Sequence, residues 1–283
     1  MNQEVFAAVA EALDRGEPAA LVTIVSTTGS TPQRVGAKML VFGDGRIVGT
    51  IGGGCYENDA FWKAREAITA RKPQLLHYEL SDDFAQETGL VCGGQMDVYI
   101  EPIEPSPELY VIGAGHVGTQ LATFAQAAGF HVHVVDDREK FANRERFPEA
   151  TEVVAEDIPT WLARTDLPPH AYVVIVTRGH TNDLEALRAL ATRDLRYLGL
   201  IGSRAKVARI YEALRTDGVP AEGLARVHAP IGLDLGAVTP PEIAISILAE
   251  LIAVKHGKLG GQDAGARSMQ WLPPNLKGLG VRV

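Results

Sequence analysis

At 283 residues the chain is long for one domain and comfortable for two, and 46% hydrophobic with 22% charged residues is an ordinary globular balance. A net charge of −8 leaves no basic surplus to neutralise phosphates, which argues against a nucleic-acid partner. Two cysteines are too few for a disulfide framework, so reduced thiols in a cytoplasmic protein are expected.

Residues 3–13 place Val5, Phe6, Val9, Ala12 and Leu13 on one helical face, and Gly16 stops that helix. Nothing at this end combines the basic start, apolar core and small-residue cleavage site of a secretory signal. Strands are expected over 19–26 and 37–42. The segment between them carries Ser30, Thr31, Arg34 and Lys38, readable as anion contacts or as an ordinary polar loop. Gly43-Asp44-Gly45 turns the chain into a third strand over 46–51. A helix over 56–71 and strands over 74–80 and 95–101 complete a small α+β domain, residues 1–101.

Within it, Gly52-Gly53-Gly54-Cys55 leads from a strand into a helix. Three glycines bare their backbone N–H groups, and a thiol in a first helical turn is a better nucleophile or metal ligand. Cys92 is likewise followed by glycines, Gly93-Gly94. The plainer reading of both is a small buried hydrophobe beside a tight turn. No C-x-x-C spacing supports a structural zinc site.

Residues 102–108 hold three prolines and no periodicity, and read as a linker. Beyond them the pattern becomes βαβ, with strands near 109–112, 131–135, 151–155, 171–177, 197–201 and 226–228. Helices are expected over 119–128, 159–164, 182–192, 204–217 and 241–256. That alternation predicts an α/β fold with a doubly wound parallel sheet over 109–257. The apolar run 243–254 is broken by Glu250 and too short for a bilayer, so no membrane partner is expected. A Gly/Pro-rich tail, 258–283, reads as a loop or a packing arm.

The first strand of that sheet runs straight into Gly113-Ala114-Gly115-His116-Val117-Gly118 and then a helix, the G-x-G-x-x-G arrangement of a Rossmann-like dinucleotide loop. Asp136, about 20 residues on, ends the second strand where a ribose hydroxyl is read, and Arg138 leaves NAD and NADP both open. Ligands of open parallel sheets sit beyond the carboxyl ends of the strands. Arg178, Gly179, His180 and Asp183 follow the fourth strand, and Gly202, Ser203, Arg204 and Lys206 the fifth, where two cations at a helix start suit a phosphate. Alternatively His180 belongs to a loop capped at Thr181 or Asn182, and the other positions are strand-end turns and helix caps.

These residues resemble the XdhC/CoxI family of accessory proteins that mature xanthine dehydrogenase and related molybdenum hydroxylases. The matching stretches include Gly-Gly-Gly-Cys at 52–55, Gly-His-Val-Gly at 115–118 and Ile-Gly-Leu-Asp-Leu-Gly-Ala-Val-Thr-Pro at 231–240, within about residues 5–256. The resemblance implies a molybdenum cofactor chaperone. Such a protein binds molybdopterin cofactor while a cysteine desulfurase supplies its sulfido ligand, then delivers it to apo xanthine dehydrogenase or a related hydroxylase. It implies a non-catalytic maturation factor, with Cys55 as the metal contact, and homodimers for which the sequence shows no interface. Gly52, Gly53, Gly54, Gly113, Gly115, His116, Gly118, Asp136, Arg178, His180, Ser203 and Arg204 complete the expected cofactor-binding set. The competing reading is an NAD(P)-dependent oxidoreductase on the same fold, since a fold alone does not choose a function.

Overall fold

The computed structural model describes residues 2–80, 93–104, 106–259 and 267–274. The chain divides into two compact units, 1–106 and 107–283.

The first unit is an antiparallel sheet between two helices. Helix α1 (Asn2–Arg15) precedes β1 (Ala19–Thr28), β2 (Lys38–Phe42) and β3 (Ile47–Gly49); α2 (Cys55–Ala70) precedes β4 (Gln74–Glu79) and β5 (Gln95–Ile103). Strand order is β3-β2-β1-β5-β4, with Ala20 opposite Val41 and Val22 opposite both Met39 and Ile100. Alternation along β1 sends Ala20, Val22 and Ile24 to one face, where they meet Met39, Met96, Val98, Ile100 and α2. The buried residues of α2 are Ala60, Ala64 and Ala67; a stripe of methyl groups at that spacing lets helix and sheet approach closely. The other face, Ala19, Leu40 and Phe42, is covered by Val5 and Ala12 of α1. Strand β5 continues past residue 101, because Pro102 and Ile103 still stand opposite Ala20 and Ala19. Cys92 lies outside the described residues.

The second unit has the parallel, doubly wound sheet that the βαβ alternation demands. Its strands are β6 (Glu108–Ile112), β7 (His131–Asp136), β8 (Glu152–Ala155), β9 (Tyr172–Ile175) and β10 (Tyr197–Leu200), in the order β10-β9-β6-β7-β8. Helices α3 (His116–Ala127) and α8 (Pro240–Lys255) pack on one face through Leu121, Ala122, Ala125, Ala244, Ile247 and Leu251. Helices α4 (Ile158–Arg164), α5 (His180–Leu190) and α6 (Arg204–Thr216) cover the other, where Trp161 and Tyr211 are the largest fully buried side chains. Every residue of β9 is buried, as expected of a strand covered on both faces. Each large apolar side chain buried this way contributes roughly 1.5–3 kcal/mol.

Because β7 and β8 lie on one side of β6 and β9 and β10 on the other, the winding reverses between β6 and β9. In open parallel sheets, ligands bind at such a reversal, beyond the carboxyl ends of the strands. The strand expected near 226–228 is reduced to one parallel bridge, His228 with Gly199. A short helix, α7 (Ala221–Ala225), occupies the approach, and Pro230 has no N–H to extend the ladder. In the tail, residues 267–271 run as an arm along residues 229–234, with N–H donation from Asp234 to Arg267, from Met269 to Gly232 and from Trp271 to Ala229.

Candidate functional site

The glycine loop of the second unit is shaped by close approach. Gly113 has φ +117°, and a Cβ there would lie 2.6 Å from the Val176 carbonyl oxygen, so the turn sits directly on the end of β9. A Cβ on Gly118 would lie 2.0 Å from the Gly113 oxygen, which locks α3 against the loop. Gly115, by contrast, faces open space, and His116, in the first turn of α3, is exposed. The loop therefore keeps one open side, at Gly115 and His116.

Asp136 does not present a free carboxylate to a ribose. It is buried, and its Oδ2 accepts from the Ala114 N–H at 2.8 Å and from Arg138 Nη2 at 2.9 Å. Its Oδ1 accepts from Arg138 Nε at 2.7 Å and from the Arg138 N–H at 3.1 Å. Burial raises the pKa of this carboxyl, but the Arg138 guanidinium and the Ala114 amide outweigh burial and hold it below the ordinary aspartate value. Arg138 in turn lies 3.7 Å from the centre of the Phe141 ring. Where the sequence offered Asp136 to a ribose, the structure places the acid as a tie between the glycine loop and β7, with both oxygens engaged.

The fourth and fifth strands add polar groups of two kinds. Asp183 is fully buried, bonded by the Thr177 hydroxyl at 2.7 Å and ion-paired to the Lys206 ammonium. Burial dominates there and pushes its carboxyl above the ordinary value despite Lys206 and Thr177. Lys206, which also donates to the Ile201 carbonyl at 3.2 Å, is a brace and not a free phosphate contact. Ser203 caps α6, accepting from the Lys206 N–H at 3.3 Å. Arg204 is exposed and without an ion pair among the described residues. Arg178 is exposed, 3.7 Å from Asp137. His180 is exposed in the first turn of α5, whose cap is Gly179 at φ +92° and not Thr181 or Asn182. Arg178, His180 and Arg204 thus face solvent at strand ends, while Asp136, Asp183 and Lys206 are internal struts.

In the first unit, Gly52, Gly53 and Gly54 all have positive φ, at +127°, +76° and +81°, and carry the chain from Ile51 into α2. Cys55 is a free, half-buried thiol in the first turn of that helix. A residue without an assigned role in the sequence organises the turn. Glu57 Oε2 accepts from the N–H groups of Ile51 (2.9 Å), Gly52 (3.1 Å) and Gly53 (2.9 Å), and from the Thr50 hydroxyl at 2.5 Å. Burial raises the pKa of Glu57, yet Thr50 and the three amides together hold it below the ordinary glutamate value. The amides of Gly52 and Gly53, expected to be free for an anionic ligand, are therefore occupied by this carboxylate. The signal was available: Glu57 is the third residue after the Gly54 cap, the position from which a glutamate reaches back to amides at a helix start.

The loop after β1 meets the same turn. A Cβ on Gly52 would lie 2.9 Å from the Pro32 ring, and one on Gly29 would lie 3.0 Å from Gly94 Cα. That loop thus packs on the Gly52 turn and, at Gly29, on the residue ahead of β5, an arrangement no local pattern reveals. Lys38, offered as an anion contact, instead donates to the Thr23 hydroxyl at 3.0 Å, and Thr31 donates to the Gln33 carbonyl. Among the described residues, no group of three or more His, Cys, Asp or Glu is placed to hold a metal, so Cys55 has no such companions there. A cavity of about 950 Å³ in this unit, between the end of α2 and the β2–β3 turn, is lined by Phe42, Arg46, Trp62 and Arg65 but by none of Gly52–Cys55.

Both units match models of one family. Residues 109–251 match the XdhC Rossmann domain, and residues 12–79 match the XdhC and CoxI family. The chain belongs to the XdhC and CoxI family. It is 41% identical over 258 residues to the Escherichia coli K12 protein YqeB, covering 91% of this chain and 47% of YqeB, so it spans about half the length of that relative. It is 24% identical to PaoD of the same strain, named a molybdenum cofactor insertion chaperone, over 87% of this chain and 86% of PaoD. A crystal structure from Bacillus halodurans described as a xanthine dehydrogenase aligns with a TM-score of 0.50 at 25% identity, covering 89% of this chain and 95% of that one. No helix among the described residues is long and apolar enough to cross a membrane.

Proposed function

We propose that this member of the family is a molybdenum cofactor chaperone serving the maturation of xanthine dehydrogenase or a related molybdenum hydroxylase. One observation carries the reading: both units match the XdhC and CoxI family, and a relative aligned along most of this chain is named a molybdenum cofactor insertion chaperone. Cys55 supplies a soft thiolate donor suited to a thiophilic metal, on a turn held rigid by Glu57. The donor set fits the metal end of the cofactor better than its phosphate, because the Glu57 carboxylate already fills the amides of Gly52 and Gly53. Within the second unit, the open side of the loop at Gly115 and His116, with Arg178, His180, Ser203 and Arg204 at the neighbouring strand ends, suits a phosphate-bearing group. When bound, the cofactor supplies the molybdenum chemistry; this chain's part is to hold it, shelter it during sulfuration by a cysteine desulfurase, and release it to the apo-enzyme.

The Rossmann domain keeps nicotinamide-dependent oxidoreduction as a second reading. Against it stands Asp136, whose oxygens are committed to Ala114 and Arg138. The test is to purify the chain from cells making molybdopterin and to assay molybdenum and pterin per chain. The expected result is co-purified pterin and molybdenum, both lost in Cys55→Ala with unchanged circular dichroism. Bound NAD(P)H with substrate-dependent oxidation, and no pterin, would overturn it.

A further inference from the structure

A cavity of about 140 Å³ lies at the amino end of β10, at the opposite end of the parallel strands from the glycine loop. Arg193, Arg196, Arg226 and His228 line it together with Tyr197 and Gly223, and no aspartate or glutamate lines it. In a chain of net charge −8, these three arginines form no ion pair with a carboxylate among the described residues. Their structural duties are modest. Arg196 Nη2 donates to the Val254 carbonyl at 3.3 Å and Arg226 Nη2 to the Arg193 carbonyl at 3.1 Å. Each thus spends one of the five N–H donors a guanidinium carries. Arg193 is different: it is half-buried and braced by the carbonyls of Ala189, Thr165 and Leu162, so it contributes charge more than donors.

The fourth basic group is fixed from behind. His228 is buried, its Nδ1 lies 3.2 Å from Glu250 Oε1, and its ring packs on Tyr197 at 4.5 Å. Glu250, fully buried, also accepts from the Tyr197 hydroxyl at 2.6 Å and the Gly232 N–H at 2.6 Å, and bonds the Ser268 hydroxyl. These bonds hold the Nδ1 edge of the imidazole against the carboxylate and leave Nε2 unbonded among the described residues. Asp194 and Glu222, close in sequence, stay out of the lining.

We propose that this cavity binds a single tetrahedral oxoanion, either free phosphate or the phosphate of a monoester whose remainder extends into solvent. Its volume suits one such group, planar guanidinium forks match phosphate oxygens, and the unneutralised charge supplies the attraction. The site is independent of the proposed cofactor-binding residues, all of which lie elsewhere in the chain.

The test is calorimetric titration of the whole chain with inorganic phosphate and, separately, with phosphoserine, at constant ionic strength. Saturable binding of phosphoserine alone assigns the site to phosphorylated ligands, and binding of both assigns it to free phosphate as well. Both arginines to be replaced are exposed, so Arg196→Ala/Arg226→Ala is expected to fold, checked by its thermal midpoint without ligand. Binding should weaken by about tenfold or more in that variant, as expected for loss of charge-assisted bonds, and stay unchanged in Arg209→Ala/Arg215→Ala, which removes two exposed arginines of α6 that do not line the cavity. The proposal is overturned if neither ligand binds in the millimolar range, or if binding is undiminished in the Arg196/Arg226 variant.

Discussion

The two glycine turns of this protein look alike in sequence and are secured in opposite ways. Each leads from a strand into a helix, and in each a carboxylate takes up loop amides. In the first unit the acid is local: Glu57 belongs to the helix it caps and is only partly buried, satisfied by three amides and a hydroxyl. In the second the acid comes from the neighbouring strand, is buried, and is neutralised by Arg138. A half-exposed carboxylate can rest on amide dipoles alone, whereas a buried one needs a counter-charge. The first turn is therefore secured from within its own helix. The second is welded into the sheet.

That contrast orders the expected effects of mutation. Gly118→Val should be the most damaging, about 3 kcal/mol or more, because the clash is with the Gly113 backbone oxygen and cannot be relieved by a side chain. Urea denaturation reads it; a midpoint near that of the parent would mean that α3 is not locked as described. Asp136→Asn should follow at about 2–3 kcal/mol, since Arg138 keeps its charge beside a neutral amide. Glu57→Gln should cost less, about 1–2 kcal/mol, because one oxygen acceptor remains for the turn. Gly53→Ala should cost only about 1 kcal/mol, from its φ of +76°, since no atom lies within 4 Å of the added methyl.

A pH series sharpens the same comparison. Glu57 and Asp136 both have pKa values held below the ordinary ones, so the stability each contributes is present above its unfolded pKa and is lost as pH falls through the folded one. Asp183 runs the other way, its raised value making the folded state relatively more favourable when it is protonated. Urea midpoints between pH 7 and pH 3 should therefore fall less steeply in Glu57→Gln than in the parent. An equal fall in the two would mean that Glu57 is not held by those amides.

Periodicity and motif order carried most of the architecture. The three-proline stretch marks the passage between two kinds of sheet, and the βαβ alternation after it appears as parallel strands. The glycine loop could be placed on a strand–helix turn because its spacing encodes local backbone geometry. The roles of the acids were not legible in the same way. Asp136 has the position of a ribose reader, and only its distance to Arg138 shows that it is occupied. Lys206 reads as a phosphate contact until buried Asp183 appears beside it.

What the sequence settled by itself is whatever depends on neighbours along the chain: the strands and helices, the division into an antiparallel and a parallel unit, and the family. Tertiary structure alone decided which polar groups are free, because hydrogen-bond partners 22 residues apart, as with Ala114 and Asp136, or 53 apart, as with Tyr197 and Glu250, leave no periodic trace. Burial sets that outcome. Once a charge is taken from water it must find a partner wherever the fold brings one.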